Sequence, residues 1–196
     1  MPDYTTRPLD ADTWPDFARL VEAHGGVFGG CWCMSFHPEG ANRGTTAAQN
    51  RAAKEARVRD DRAHAALVYD GTSCVGWCQF GVPEELPRIK NRKAYLDGLD
   101  DGGDDQLPDW RITCFFVDRT HRRSGVAAAA LAGALAEITR LGGGTVESYP
   151  EDAADRKVSA AFLHNGTLAL FEAHGFHPTR RIGKHRWVVR RRVDRP

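Results

Sequence analysis

The sequence predicts a mixed α/β fold in one domain spanning residues 1–196. Three observations carry this. Apolar runs of strand length recur along the chain, a strand, a helix and a strand follow one another between residues 111 and 149, and 196 residues suit one ordinary domain. At 41% hydrophobic and 27% charged, the composition supplies a core and excludes disorder throughout. Lys and Arg number 27 against 26 Asp and Glu, a formal charge of +1, which removes the case for a broadly basic nucleic-acid binder or a polybasic membrane protein. No run approaches the roughly 20 apolar residues that span a bilayer, and MPDYTTRPLD lacks an apolar signal core, so a cytoplasmic chain with no membrane partner is expected.

Thr5 to Leu9 reads as a short strand. Asp12 caps a helix with Pro15 in its first turn and Phe17, Leu20 and Val21 at helical spacing, ended by Gly25-Gly26. The run Cys31-Trp32-Cys33-Met34-Ser35-Phe36 then forms an apolar loop that either packs on the core or lines a pocket. Thr45 or Thr46 caps a second helix from Ala47 to about Arg59, rich in Ala, Lys, Glu and Arg, with much of its surface solvated. Ala65–Tyr69 and Cys74–Phe80 flank Asp70-Gly71-Thr72-Ser73 and should pair antiparallel as a hairpin. The pattern lapses from Gly81 to Asp109. Arg111–Val117 is a third strong strand, Ser124–Leu141 an Ala-rich helix with Ala127, Leu131, Leu135 and Ile138 on one face, and Thr145–Tyr149 another strand. A helix at about Thr167–His174 stops at Gly175, and strands near His177–Arg181 and Arg186–Val193 close the chain. No repeat or linker divides it.

Two clusters invite a metal. Cys31 and Cys33 with His37 lack the second ligand pair of a zinc site, and five cysteines in all (Cys31, Cys33, Cys74, Cys78, Cys114) suit reduced, core-forming thiols better than a disulfide framework. The acidic stretch holding Asp97, Asp100, Asp101, Asp104, Asp105 and Asp109 has the composition of a calcium loop without its ligand order or closing glutamate. No metal is expected.

The chemistry concentrates in Phe115-Phe116-Val117-Asp118-Arg119-Thr120-His121-Arg122-Arg123-Ser124-Gly125-Val126-Ala127. A hydrophobic strand runs into a basic loop, and a glycine opens a helix. Amides at a helix start point at an anion, glycine allows close backbone approach, and the arginines add charge. An ordinary helix start with a solvated basic turn is the alternative.

This stretch resembles the GNAT superfamily of acyl-CoA-dependent N-acyltransferases, whose Arg/Gln-x-x-Gly-x-Gly/Ala motif matches Arg122-Arg123-Ser124-Gly125-Val126-Ala127. Phe171-Glu172-Ala173-His174-Gly175-Phe176 is similar to the family's aromatic-x-x-x-Gly-Phe helix end. The resemblance implies a mixed, mostly antiparallel sheet flanked by helices. It implies that acetyl-CoA serves as co-substrate, its pyrophosphate on the loop amides and its pantetheine arm along Phe115, Phe116 and Val117. The acetyl group would pass by direct attack to a primary amine on a small molecule or peptide, and a homodimer is left open. Phe171 stands where many members have a proton-donating tyrosine, and the usual asparagine position falls on His164, which shifts the coenzyme-amide contact to Asn165.

Direct transfer needs a neutral amine, because an ammonium has no lone pair. Glu147 and Tyr149 share one face of their strand by period-two alternation and are the candidate base and acid, against a solvated carboxylate and a packing tyrosine. An amide near Val117 would stabilise the oxyanion. His121 either touches the coenzyme or faces solvent. Cys114 is either core or an acyl-accepting thiol. Trp32, Met34 and Phe36 either wall an acceptor pocket suited to an uncharged or aromatic group or belong to the core. Two rivals remain: a coenzyme-binding protein without catalysis, which Phe171 keeps open, and a nucleic-acid-binding module using Arg180, Arg181, Lys184, Arg186, Arg190, Arg191, Arg192 and Arg195. Against the latter, Arg186–Val193 alternates as a partly buried edge strand.

Overall fold

The structure is a computed structural model that describes residues 3–41, 44–99, 107–154 and 156–196. Asp100, Asp101, Asp104 and Asp105 lie outside the described residues.

Among them, seven strands form one sheet in the order β1-β2-β3-β4-β5-β7-β6. These are β1 (Thr5–Pro8), β2 (His64–Asp70), β3 (Ser73–Gly81), β4 (Trp110–Val117), β5 (Gly144–Ser148), β6 (His177–Gly183) and β7 (Arg186–Val193). The helices are α1 (Trp14–Ala23), α2 (Ala47–Arg59), α3 (Arg92–Asp97), α4 (Val126–Arg140) and α5 (Leu168–Glu172). All strand pairs are antiparallel except β4 with β5, as expected for strands joined by a helical crossover.

Side chains alternate across the sheet. Ala65, Leu67 and Tyr69 of β2 join the core beneath α1 and the loop that follows it, whereas Ala66 and Val68 join the core under α4. α4 turns Ala130, Leu131, Ala134, Leu135 and Ile138 inward, close to the predicted face. β3 and β4 pair Gln79 with Cys114 but Phe80 with Ile112, so Thr113 is an extra residue on β4. Ile112 therefore lies in the α4-side core and Cys114 in the α1-side core, although only one residue separates them. Gly76 of β3 lets α4 sit close: an added Cβ would come within 2.7 Å of both the Phe116 carbonyl and Val126 Cγ1.

Several local expectations change. α1 is entered through Thr13, with Asp10 Oδ1 accepting from the Asp12 and Thr13 amides (2.9 Å each), because an aspartate two residues ahead folds the chain into an Asx turn. α2 begins as predicted at Thr46, with a capping box to Gln49, and beside its solvated surface it carries a buried face of Asn50, Lys54, Arg57 and Val58. β7 is not an edge strand. It pairs with β5 and β6 on its two sides, leaving β6 at the edge, because the final hairpin folds back toward the centre. Tyr149 falls just beyond β5. The short α3 and the 3₁₀ turn Ala160–Asn165 have no strong apolar period and escape a periodicity reading.

Candidate active site

β4 leads into a 3₁₀ turn, Arg119–His121, capped by Asp118, whose Oδ1 accepts from the Thr120 amide (2.7 Å). The chain reaches α4 through two left-handed residues, Arg123 (φ 63) and Gly125 (φ 96). The latter suits glycine, and an added Cβ there would meet nothing within 4 Å, so the backbone faces open space. Ser124 Oγ accepts from Tyr4 Oη (2.8 Å) and donates to the His121 carbonyl, which fixes the turn. The first bond entering α4 runs from the Ala129 amide to the Gly125 carbonyl (3.0 Å), so the amides of Val126, Ala127 and Ala128 have no preceding turn to bond. Arg122 and Arg123 are exposed at this rim. An open, amide-lined cradle edged by guanidinium groups fits a diphosphate. His121 stands at its edge, between Asp118 (3.7 Å) and Asp70 (3.4 Å).

β4 and β5 pair only from Trp110 to Ile112 and from Val146 to Ser148, then part. Ala160–Asn165 fills the widening gap. Buried Asn165 donates from Nδ2 to the Thr113 carbonyl (2.6 Å) and accepts from Arg186 (2.9 Å), so its side chain ties this segment to β4 and β7. Phe171 is fully buried, edge-on to both Phe115 and Phe176, and belongs to the α4-side core with Phe115. Phe116 faces the other way, stacked on Trp77, and Val117 is half-buried at the strand end.

On the α1 side of β4 lies a cavity of about 300 Å³. Cys31, Cys33 and Cys114 line it together with Phe36, Ile89 and His164, while exposed Phe28, Ser35, Arg88 and Lys90 open it to solvent. Phe28 and Phe36 pack on the His164 ring at 5.8 and 6.0 Å, giving aromatic walls beneath a cationic rim. The loop Cys31–Phe36 therefore serves both sequence readings. Trp32 and Met34 are core, Trp32 packing on Trp14 and Phe17, while Cys31, Cys33, Ser35 and Phe36 reach the cavity.

Behind those cysteines sits a polar network that sequence reading missed. Lys54 of α2 is fully buried and donates to Gln79 Oε1 (2.7 Å) and His37 Nε2 (3.1 Å). His37 Nδ1 meets the Glu85 carbonyl (3.0 Å), which can only accept, so Nδ1 carries the proton and bare Nε2 receives Lys54. Gln79 passes the chain to Thr113 on β4 (3.2 Å). Burial and the Lys54 charge push the His37 pKa down to about 2, so the ring stays neutral. Burial also lowers Lys54. At Cys33, burial raises the thiol, but the neighbouring Cys114, the Lys54 charge and the Trp77 indole outweigh it and bring it below the ordinary thiol range. Cys114 moves up, through its Cys33 neighbour and burial, and burial pushes Cys31 up to about 11. Cys114 Sγ donates weakly to the Phe115 carbonyl at 3.9 Å.

Glu147 and Tyr149 meet as their shared face predicts, Tyr149 Oη donating to Glu147 Oε1 at 2.6 Å. Both are fully buried, Glu147 also takes an ion pair from Arg190 (2.7 Å), and neither is among the residues lining the cavity. Burial and the Glu147 charge raise the Tyr149 phenol well above its ordinary range. The arginine strip is largely engaged internally: Arg186 donates to the Tyr149 carbonyl (2.6 Å) and pairs with Glu151 (3.1 Å), and Arg191 donates to the His174 carbonyl. Among the described residues, no helix is long and apolar enough to cross a membrane, and no group of three or more His, Cys, Asp or Glu side chains is arranged to hold a metal ion.

No family model and no curated protein matches the chain. Solved structures do. An acetyltransferase from Thermus thermophilus is 14% identical with a TM-score of 0.53, covering 97% of each chain. A Desulfovibrio desulfuricans protein described as a GNAT-family acetyltransferase is 16% identical (TM-score 0.53), over 97% of this chain and 99% of that one. A Salmonella typhimurium protein described as an acetyltransferase, solved with its cofactor acetyl-CoA, is 15% identical (TM-score 0.54), over 97% and 94%. The seven-stranded, mostly antiparallel sheet flanked by helices is thus the GNAT acetyltransferase fold.

Proposed function

We propose that this protein is an N-acetyltransferase that transfers the acetyl group of acetyl-CoA to a primary amine. The observation that carries the reading is the turn from Arg122 to Gly125: left-handed at Arg123 and Gly125, amide-lined, rimmed by guanidinium groups and lying beyond the end of β4, the strand that parts from β5 after Ile112. Arg122, Arg123 and the amides from Ser124 to Ala127 would bind the pyrophosphate. Phe115, Phe116 and Val117 would run beside the pantetheine arm, with Asn165 and Phe171 shaping the far wall of the gap. The fold shared with solved acetyltransferases supports the same reading.

The acceptor amine would enter the 300 Å³ cavity, whose aromatic walls suit an apolar body and whose Arg88 and Lys90 rim suits a carboxylate or other anionic group. The amine must lose a proton before it can attack. Glu147 as base and Tyr149 as acid is the assignment that follows from the strand face, and their 2.6 Å bond supports them as one unit. Their seat away from the cavity lining makes Tyr149→Phe the informative variant. Loss of kcat with an unchanged melting temperature supports the assignment, whereas loss of stability alone makes the pair a brace between β5 and β7.

The function itself is tested by thermal shift with acetyl-CoA, then by coenzyme release across aromatic amines, amino acids and peptides. Stabilisation with turnover is expected. Stabilisation without turnover on any amine would leave a coenzyme-binding protein, and no stabilisation would end the reading.

A further inference from the structure

Arg111 of β4 is a buried cation without a counter-ion. It precedes Ile112 by one residue, so it points away from α4, and its guanidinium carbon lies 5.6 Å from the ring of Tyr95 on α3. Of its five N–H donors one is used among the described residues, Nη1 donating to the Leu86 carbonyl (3.0 Å). Its buried Nε has no partner. Glu147, its neighbour in register on β5, already holds Tyr149 (2.6 Å) and Arg190 (2.7 Å), and among the described residues no carboxylate lies within ion-pair distance of Arg111. A guanidinium taken out of water without a partner is costly, and an anion would remove the cost.

Arg111 and Tyr95 line a cavity of about 260 Å³, separate from the one assigned to the acceptor. The chain from Pro87 to Lys90 divides the two: Arg88 and Lys90 line the acceptor cavity, Pro87 lines the second, and Ile89 reaches both. Pro87, Ile89, Leu96 and Leu107 give the second cavity apolar walls. Arg92 and Glu84, both exposed, lie among its lining residues and cancel in charge, which leaves Arg111 to set its sign. We propose that this cavity is a second small-molecule site that takes an organic monocarboxylate, its body against the apolar walls and its carboxylate on the Nε–Nη2 edge of Arg111. That edge presents two parallel N–H groups, the spacing that a carboxylate accepts with both oxygens.

A second orphan supports the assignment. Tyr95 is fully buried, and its hydroxyl, like Arg111 Nε, lacks a hydrogen-bond partner among the described residues. Buried polar groups in a folded protein are nearly always satisfied, so two orphans on residues lining one cavity mark a place built for a polar guest. The same ring has Arg180 at 5.0 Å on its other contact and meets Tyr149 edge-on at 5.6 Å. An occupant therefore sits one ring away from the Glu147–Tyr149 pair. One buried guanidinium balances one negative charge, and walls of proline, isoleucine and leucine offer nothing to the further oxygens of a phosphate.

The test titrates the intact protein, without acetyl-CoA, with phenylacetate, with its uncharged counterpart phenylacetamide and with inorganic phosphate, read by calorimetry. Phenylacetate is expected to bind about tenfold or more tighter than either of the others, and Arg111→Met to weaken it by about tenfold or more. Arg111→Lys, which keeps the charge but not the planar fork, should fall between them. The melting temperature of Arg111→Met should be at or above that of the wild type, since the substitution removes an uncompensated buried charge. If Arg111→Met does not fold, Leu96→Trp decides: it fills the cavity from an exposed position of α3, leaves the cation in place and should abolish binding. Equal affinity for the acid and the amide would overturn the proposal, as would phosphate binding as tightly as phenylacetate. Binding lost in Arg88→Met but kept in Arg111→Met would do the same, by placing the anion in the acceptor cavity. The site stands apart from the acetyltransferase reading: a failed titration leaves that reading intact, and a protein that acetyl-CoA does not stabilise leaves this site intact.

Discussion

On one face of β4, the turn proposed to hold the coenzyme is built almost wholly from consecutive residues, Asp118 to Ala129, and its chemistry is backbone chemistry. On the other face, the cavity and its polar network draw on α2, β3, β4 and two loops, and their chemistry is that of buried side chains. The difference is one of fragility. A backbone cradle tolerates most side-chain changes and fails when its glycine is replaced, whereas a network of buried donors and acceptors is disturbed by the loss of any member, because each leaves a partner unsatisfied.

The sharpest way to break the comparison is Gly125→Glu. A residue at φ 96 is strained, and a carboxylate would oppose the phosphates. Losing two charge-assisted bonds at about 1.5–3 kcal/mol each should weaken acetyl-CoA binding by more than about a hundredfold, measured by calorimetry. Next comes Glu147→Gln, which removes the Arg190–Glu147 ion pair between β5 and β7. A stability loss of about 3 kcal/mol in urea unfolding is expected, and a loss under about 1 kcal/mol would mean the ion pair is not structural.

The cavity side also predicts a pH response. His37 is held to about 2 in the folded chain, below its ordinary 6.5, so the unfolded chain binds more protons as pH falls. The stability His37 contributes is therefore complete above about 6.5 and is lost progressively from there toward about 2. Urea midpoints at pH 7 and 5 should diverge in the wild type and converge in His37→Gln. The smallest effect is expected for Thr46→Ala, which opens the capping box of α2 at about 1 kcal/mol while leaving coenzyme affinity unchanged.

Legibility in the sequence follows the same division. The succession of strands along the chain, the hairpin at Asp70–Ser73, the crossover and the Arg122–Gly125 turn all depend on neighbours within a few residues, and all are present in the structure. The pairing of Glu147 with Tyr149 also follows from alternation alone. Lys54 is hidden because a lysine in an Ala/Lys/Glu/Arg helix reads as solvated. A signal exists: Asn50, Lys54, Arg57 and Val58 fall at i, i+4, i+7 and i+8, the spacing of a buried face written mainly in polar residues. Its partners, His37 and Gln79, are 17 and 25 positions away, and no local pattern reports that distance.

The unpaired Thr113 gives β4 a parity that matters more than its chemistry. Upstream of it, even-numbered Ile112 points to α4; downstream, even-numbered Cys114 and Phe116 point to the opposite core, and odd-numbered Phe115 takes over the α4 side. Excising that one residue would restore plain alternation and leave every remaining side chain on its present face, Ile112 and Phe115 toward α4 and Cys114 and Phe116 toward the opposite core. A one-residue deletion at Thr113 thus keeps both faces of the strand, whereas a deletion elsewhere in β4 would turn over the residues between it and Thr113.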